Sequence, residues 1–348
     1  MRWTRARAGR LAASLASVEQ LIGGFDEIVG ARASLTTLVE TGSLRLRVRH
    51  NHPGLGTDVL RALWPAIGDS GTDYDILCLS ASDPLVASLV PSTLPDDVRL
   101  LVPERLTGQR WFIDGRIGLY TGLDLSRGTG LVIWGDGAYR LLVCSPFRTI
   151  AQWAASDMDD LLLHSAAVGR PEAGVLLLGA GHAGKSTTAL ATVAAGGVTV
   201  GDDYVWVRGL EAFSCFRTVK TRHSARISLQ GAAAALPGFD MYYEEPKRVH
   251  YLDGADDVMV RRLPLLGAAV IRLGAATTRW RRIPAVEAFL QAAPTSILQA
   301  TSDRGQQMSQ IKNLLTGLPT YELSVSADFL EVGDAVLRFV DTLIAGRA

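Results

Sequence analysis

The spacing of apolar residues changes along the chain from a helical repeat to the alternation of strands. Residues 11–30 carry apolar side chains at helical spacing. The segment 44–49 alternates apolar and charged residues, which predicts a half-buried strand, and 75–79 predicts a more buried one. Further strands are predicted at 111–120, 130–134 and 139–144, between turn signals. We therefore expect an N-terminal α+β domain, residues 1–150, rich in hairpins.

The second half alternates apolar strands with helical segments, which predicts an α/β domain, residues 151–348. A helix predicted at 149–160 joins the two halves. Strands are predicted at 161–168, 174–178, 198–207, 213–220, 248–252, 268–273 and 321–325, and helices at 187–195, 285–291, 309–316 and 332–344. A length of 348 residues agrees with two domains.

Composition excludes several classes of protein. The 35 basic and 35 acidic residues balance, and no basic run indicates a surface for nucleic acid. No apolar run reaches the ~18 residues of a membrane span, and no signal peptide follows the basic N-terminus, so we expect a cytoplasmic protein without membrane contact. Cys78, Cys144 and Cys215 are far apart in apolar segments, which favours reduced core residues over a disulfide or a metal site.

The segment 179–186, GAGHAGKS, fits the phosphate-binding loop G-x-x-x-x-G-K-[ST], or Walker A motif, between a predicted strand and a predicted helix. Glycines let the backbone turn so that amides and the helix N-terminus hold the oxygens of a nucleoside triphosphate. Lys185 is expected to reach the β/γ-phosphates, and the Ser186 hydroxyl is expected to bind Mg²⁺. The predicted nucleotide-binding residues are Gly179, Gly181, His182, Ala183, Gly184, Lys185, Ser186 and Thr187.

Two carboxylates, Asp202 and Asp203, directly follow the apolar residues 198–201, about 17 residues after Lys185. A short strand–helix–strand unit places them beside the loop. Phosphoryl transfer needs acidic groups there to hold Mg²⁺ and to accept the proton of the attacking hydroxyl. Adjacent residues on a strand point to opposite faces, so we expect the two to divide these tasks. The alternative is an exposed Asp-Asp turn that closes the strand.

Other polar residues have weaker signals. His164 stands in an apolar strand, where a histidine is more often a hydrogen-bonded core residue. Cations after the Asp pair could clamp the transferred phosphate, or lie on the surface. These cations are Arg217, Lys220, Arg222, Lys247 and Arg248. The densest basic cluster, Arg279, Arg281 and Arg282, is open to interpretation as a solvated face, a mobile loop or a peptide-docking patch.

The three motifs together resemble the catalytic core of HPr kinase/phosphorylases and the wider HPr kinase-like P-loop kinases. The resemblance covers about 161–207 and rests on LHSA at 163–166, GKSTTAL at 184–190 and GDDYV at 201–205. It implies that 151–348 is a kinase domain of this type with a mixed sheet, preceded by an accessory domain. It also implies that Asp202 is the acid/base for the acceptor hydroxyl, that Asp203 lies near metal or substrate, and that His164 is an active-site residue close to both.

The region 216–223 lacks the acid and the glycines of the HPr kinase signature. The chain is therefore more similar to the divergent branch that includes kinases of a serine in ribosomal peptides such as lasso peptides. We expect an ATP- and Mg²⁺-dependent serine or threonine kinase for a peptide or small protein, such as a ribosomal peptide precursor. The resemblance also suggests a homo-oligomer. A kinase of a small-molecule hydroxyl and an inactive nucleotide-binding regulator are the alternatives, although intact Asp202, Asp203 and His164 speak against the regulator.

Overall fold

The computed structural model describes residues 19–68, 71–87, 99–222, 238–243, 245–298, 301 and 303–347. The described residues divide into two compact units. The second unit contains Thr41–Ser43, Arg61–Trp64 and the residues from Ala151 onward, and the first unit contains the others. Helices combine with mixed sheets in the chain, which is therefore of the α/β class. Within the described residues, no helix is both long and apolar enough to cross a membrane.

The first sheet contains eight strands in the described part of the chain, in the order β3-β1-β2-β4-β8-β7-β6-β5. Its strands are β1 (Leu35–Thr41), β2 (Leu44–His50), β3 (Trp64–Pro65), β4 (Tyr74–Ser80), β5 (Arg99–Val102), β6 (Arg110–Asp114), β7 (Leu119–Asp124) and β8 (Thr129–Trp134). The helices are α1 (Phe25–Val29), α2 (Pro84–Ala87), α3 (Glu104–Thr107), α4 (Asp136–Cys144) and α5 (Arg148–Asp157), with a π-helix at Leu55–Val59 and a 3-10 turn at Leu60–Ala62. Strands β2, β4 and β8 are parallel, and β5 to β8 are antiparallel.

Several predictions for the first half are confirmed and two are wrong. The strands at 44–49 and 75–79 and the joining helix are present as β2, β4 and α5. The predicted strand at 139–144 is instead helical, because Ala138 and Leu142, four residues apart, are both buried on one face of α4. The predicted strand at 111–120 is broken by the turn between β6 and β7. Of the predicted helix at 11–30, residues 11–18 lie outside the described residues.

The second unit is built on a mixed sheet in which the described strands follow the order β12-β10-β11-β18-β14-β13-β9, with β20 beside β18 and β19 beside β20. These strands are β9 (Leu161–Leu163), β10 (Ala166–Arg170), β11 (Ala173–Leu178), β12 (Val198–Gly201), β13 (Val205–Arg208), β14 (Glu211–Ser214), β18 (Arg262–Leu273), β19 (Arg279–Arg282) and β20 (Thr320–Val325). A separate small sheet pairs β15 (Thr218–Arg222) with β17 (Glu245–Tyr251) and β17 with β16 (Gly238–Tyr243).

Helices cover both faces of the mixed sheet. They are α6 (Lys185–Ala194), α7 (Ala285–Leu298), α8 (Arg304–Gly317) and α9 (Phe329–Ala345). Val175 and Leu177 of β11 join the apolar cluster of α6 and α9, whereas Leu176 and Leu178 join the cluster of α7 and α8. Burial on both faces explains why β11 is a continuous apolar run rather than an alternating one. The helices predicted at 285–291, 309–316 and 332–344 are present and longer than predicted.

The order of the strands brings three connections to one edge of the sheet. Strand β10 is antiparallel to both β11 and β12, with Ala166 opposite Leu177 and Ala167 opposite Gly201. The start of β10 therefore lies beside the carboxyl ends of β11 and β12. The predicted single strands at 161–168, 198–207 and 213–220 are each two strands, interrupted at 164–165, 202–204 and 215–217. The first two of these interruptions face the loop that follows β11.

Candidate functional site

The loop between β11 and α6 requires glycine at two positions. Gly179 and Gly184 have φ values of +148° and +98°, which L side chains rarely adopt. A Cβ at Gly179 would lie 2.8 Å from the Cβ of Ala183, and one at Gly184 would lie 2.9 Å from the Cδ2 of Leu273. Gly184 is also the N-cap of α6. The sequence therefore folds into a tight loop that leads directly into a helix N-terminus, where backbone N–H groups favour an anion.

Lys185 is the first residue of α6 and lies against this loop. Only 6% of the residue is exposed. Its Nζ donates to the carbonyl oxygens of Gly179 and Ala180, at 3.0 and 3.2 Å. Burial lowers the pKa of Lys185, while the charges of Asp202 and Asp203 act in the opposite direction. The ammonium group is thus a buried positive charge between the loop and the Asp pair.

Asp202 and Asp203 lie in the turn between β12 and β13, and not on a strand. Asp203 has a left-handed backbone, with a φ of +76°, and the N–H of Tyr204 donates to the carbonyl oxygen of Asp202 at 3.0 Å. The expectation that the pair lies on a strand is therefore wrong, and the alternation of strand side chains does not extend to residues 202–204. Both carboxylates instead act on Lys185.

Asp202 is buried, with 2% of the residue exposed. Its Oδ2 accepts from the N–H of Lys220 at 3.3 Å. The nearby Ser186 hydroxyl acts to lower the pKa of this carboxyl. The Oδ1 atom is buried and makes no hydrogen bond. Burial first, and then the charge of Asp203, raise the pKa of Asp202. A buried carboxylate oxygen without a partner is costly, and a bound cation or a proton would satisfy it.

Asp203 has a different environment. Its Oδ2 lies 2.5 Å from the Nζ of Lys220, and its Oδ1 lies 3.6 Å from the Nδ1 of His164. The side chains are partly accessible, with 23% of Asp203 and 12% of His164 exposed. His164 packs edge-on against the ring of Tyr204, and its backbone N–H donates to the Ser296 hydroxyl at 3.3 Å. His164 stands in the connection between β9 and β10, and not within a strand.

The structure thus brings His164, Lys185, Ser186, Asp202 and Asp203 to one edge of the sheet, as expected. The other predicted nucleotide-binding residues belong to the loop itself or to the first turn of α6. Gly181, His182 and Thr187 are exposed, whereas Ala183 and Gly184 are half-buried. Nothing lies within 4 Å of a Cβ built at Gly181. The loop therefore presents an accessible side next to Lys185.

The predicted phosphate clamp is only partly formed. Lys220 contacts the Asp pair, and Lys247 on the neighbouring strand β17 acts electrostatically on Lys185. Arg217 instead donates to the carbonyl oxygen of Asp253 at 2.7 Å and to Asp256, and Arg248 pairs with Asp240 at 3.2 Å. The side chain of Arg222 lies outside the described residues. Arg281 pairs with Glu322 at 2.9 Å and Arg282 donates to the Tyr321 hydroxyl at 3.1 Å, so part of the basic cluster is a solvated, paired strand.

One signal in the sequence could have identified Lys220 and Lys247 more sharply. Only four of the 35 basic residues are lysines, at 185, 220, 247 and 312. Three of these four lie at or near the site. A compact ammonium group approaches carboxylates and phosphates as a point charge, which a guanidinium does not. The scarcity of lysine elsewhere makes these three positions distinctive.

The site offers a partial set of metal ligands. Within the described residues, no group of three or more His, Cys, Asp or Glu side chains is arranged to hold a metal ion. Mg²⁺ is usually held by one or two carboxylates together with waters and substrate phosphates, so one carboxylate of the Asp pair together with Ser186 fits such an ion. The three cysteines belong to the core. Cys78, Cys144 and Cys215 are buried outside any disulfide, and burial raises the pKa of Cys215 to about 12.

No model of a known protein family matches this chain, and a comparison with curated protein sequences also finds no match. The site is therefore interpreted from its residues and their geometry. The decisive geometry is the meeting of a glycine loop, a buried lysine and two unlike carboxylates at the ends of β11 and β12, which lie on either side of β10.

Proposed function

We propose that the chain is an ATP- and Mg²⁺-dependent kinase of the HPr kinase-like type. In this proposal 151–348 form the P-loop kinase domain and 1–150 an α+β accessory domain. The acceptor is the hydroxyl of a serine or threonine in a peptide or small protein, such as a ribosomal peptide precursor in the cytoplasm. One observation carries the proposal: Lys185 lies between the phosphate-binding loop and the Asp202–Asp203 pair.

The loop and α6 supply the donor site. Backbone N–H groups of the loop and the N-terminus of α6 hold the phosphates of ATP. Lys185 then donates to phosphate oxygens in place of the carbonyls of Gly179 and Ala180. A phosphate chain compensates the buried ammonium group, whose pKa is lowered by burial. Mg²⁺, when bound, neutralises charge on the β- and γ-phosphates.

The carboxylates supply the acceptor side of the reaction. One carboxylate takes the proton of the acceptor hydroxyl as the hydroxyl oxygen bonds to the γ-phosphorus. The bond between the γ-phosphorus and the β,γ-bridging oxygen breaks, and the electron pair leaves with ADP. His164, 3.6 Å from Asp203, helps to orient that side chain. The choice of a peptide as acceptor follows from the resemblance to the divergent, peptide-modifying branch, which also suggests a homo-oligomer.

A transfer assay with γ-labelled ATP tests the proposal. The full chain is incubated with ATP and Mg²⁺ against serine- and threonine-containing peptides and, separately, against a pool of hydroxylated metabolites. We expect label on peptides with the wild-type chain. Lys185→Met should lower the rate on the order of 10³-fold, because it removes a preorganised charge from the transferring phosphate.

Lys312→Met is the matched control, since Lys312 is an exposed lysine of α8. This variant should transfer phosphate at the wild-type rate. Unchanged transfer by Lys185→Met would refute the donor site. Label on metabolites alone would replace the peptide acceptor with a small molecule. Tight ATP binding without any labelled product would favour the regulator.

A further inference from the structure

The two carboxylates of the site are not equivalent, and their contacts differ in kind. Asp202 keeps one buried oxygen, Oδ1, without a hydrogen bond, and the Ser186 hydroxyl acts on the same carboxyl. In P-loop enzymes the loop Ser or Thr and an acidic residue after a neighbouring strand hold Mg²⁺ together. Ser186 and the unbonded oxygen of Asp202 therefore offer the pair of ligands that a metal ion needs there.

Asp203 makes contacts of a different kind. Lys220 and His164 engage its Oδ2 and Oδ1, at 2.5 and 3.6 Å. A carboxylate already neutralised by an ammonium group is a poor ligand for a divalent cation, because the two positive charges would compete for the same oxygen. Asp203 is also the more accessible of the pair, at 23% against 2% for Asp202. It is thus better placed to meet an incoming hydroxyl.

Lys220 contacts both carboxylates through different groups. Its backbone N–H donates to Asp202 at 3.3 Å, and its ammonium group contacts Asp203. Both sequence neighbours of Lys220 on β15 are buried. Val219 is buried in the core beside α6, and the buried Thr221 bonds to His250 at 2.9 Å. The position of Lys220 is therefore set by the packing of β15 and not by the Asp pair.

We propose that Lys220 is a positioning residue that gives the two carboxylates separate roles. Its backbone fixes Asp202 beside Ser186 as the metal ligand. Its ammonium group fixes Asp203 beside His164 as the carboxylate that receives the proton of the acceptor hydroxyl. This assignment rests on the proposed kinase function, and it reverses the roles that the family resemblance implies for Asp202 and Asp203.

The experiment compares the metal dependence of ATP binding in Asp202→Asn and Asp203→Asn. Binding of a fluorescent ATP analogue is measured with and without Mg²⁺, and Mn²⁺ in the ternary complex is followed by electron paramagnetic resonance. We expect Mg²⁺ to tighten binding to wild type and to Asp203→Asn alike. Asp202→Asn should lose at least about tenfold of this enhancement, since one of only a few protein ligands is missing. Asp203→Asn should bind normally but transfer phosphate about 10²- to 10⁴-fold more slowly.

Variants of Lys220 test the positioning role. Lys220→Met should lower kcat about 10²-fold while KM for ATP changes less than about threefold, because the proton acceptor is displaced and the donor site is not. Lys220→Arg should restore part of kcat, since it keeps the charge near Asp203. A purely structural role would lower the melting temperature and raise KM in both variants equally.

The outcomes separate the two proposals. Loss of the Mg²⁺ effect in Asp203→Asn, with Asp202→Asn retaining it, overturns the assignment and leaves the kinase function standing. Absence of Mg²⁺-dependent ATP binding in the wild-type chain overturns the function itself. Should an Asn variant unfold, Asp202→Ala and Asp203→Ala provide the same comparison.

Discussion

Trp64 joins a short segment from the first half of the chain to the second unit. The residue is 6% exposed and belongs to the apolar cluster that includes Val219 and Leu252. The guanidinium carbons of Arg217 and Arg261 lie 4.4 and 4.5 Å from the centroid of its ring. Two further contacts hold the segment, because Ala62 accepts from the backbone of Arg217 at 2.7 Å and Arg61 pairs with Asp253 at 2.9 Å. The segment therefore packs as a part of the second unit.

The cost of Trp64→Ala follows from these contacts. Deleting a buried Trp side chain from a core costs about 3–5 kcal/mol. Each of the two cation–π contacts adds roughly 0.5–1 kcal/mol. We therefore expect the free energy of unfolding of the second unit to fall by about 4–7 kcal/mol, which is a large part of the 5–15 kcal/mol typical of a domain.

Trp64→Phe is the matched control. The Nε1 of Trp64 is buried without a hydrogen bond, so phenylalanine keeps most of the packing and removes an unsatisfied donor. We expect this variant to lose less than about 2 kcal/mol. Urea unfolding followed by circular dichroism gives the overall loss. Hydrogen exchange of β15, which begins one residue after Arg217, shows whether the loss reaches the strand that carries Lys220.

A Trp64→Ala variant whose free energy of unfolding lies within about 1 kcal/mol of wild type would refute this prediction. So would a variant in which hydrogen exchange becomes faster only in the first unit. Either result would mean that the segment Arg61–Trp64 contributes little to the second unit.

Two other predictions concern the site. Burial, and then the charge of Asp203, raise the pKa of Asp202, so its contribution to stability is present below about pH 3.9 and lost as pH rises through the raised value. The free energy of unfolding of Asp202→Asn should therefore exceed that of wild type at pH 7, and the difference should disappear near pH 4. Urea titrations in which the variant is less stable than wild type at pH 7 would contradict this. Gly184→Ala should lower the free energy of unfolding by about 1–3 kcal/mol, because residue 184 has a left-handed φ. The close contact of the new methyl group with Leu273 is a separate cost. In Gly181→Ala the added methyl group meets open space, so its free energy of unfolding should lie within about 1 kcal/mol of wild type. Equal free energies of unfolding for the two Ala variants would contradict the strain at residue 184.

The loop was predictable because its signal is local. The glycines at 179 and 184 stand where the backbone has positive φ, and Lys185 follows at a fixed spacing. The strand β11 and the helix α6 also have clear apolar patterns. Each of these features depends on neighbouring residues, so a single sequence is enough to predict them.

The arrangement of the Asp pair was not predictable in the same way. The run 198–207 is apolar on both sides of Asp202 and Asp203, so it resembles one strand, and the break depends on left-handed backbone at Asp203. The contact of Lys220 with the pair depends on how β15 packs against α6. Trp64 has no local signal for its place in the second unit, because its partners are more than 150 residues away. Long-range packing decides the last two.

The edge that carries the site combines several features that oppose folding. Burial disfavours the charged forms of both Lys185 and Asp202, and Asp203 and His182 adopt left-handed backbone at residues that have a Cβ. A turn closed by glycine would relieve the strain at residue 203. A fold that only needed a strand, a loop and a helix has no reason to keep these groups together. Their joint cost is understandable if a phosphate chain and a metal ion compensate the buried charges during function, since an isolated buried ion is tolerated only when a partner of opposite charge is supplied.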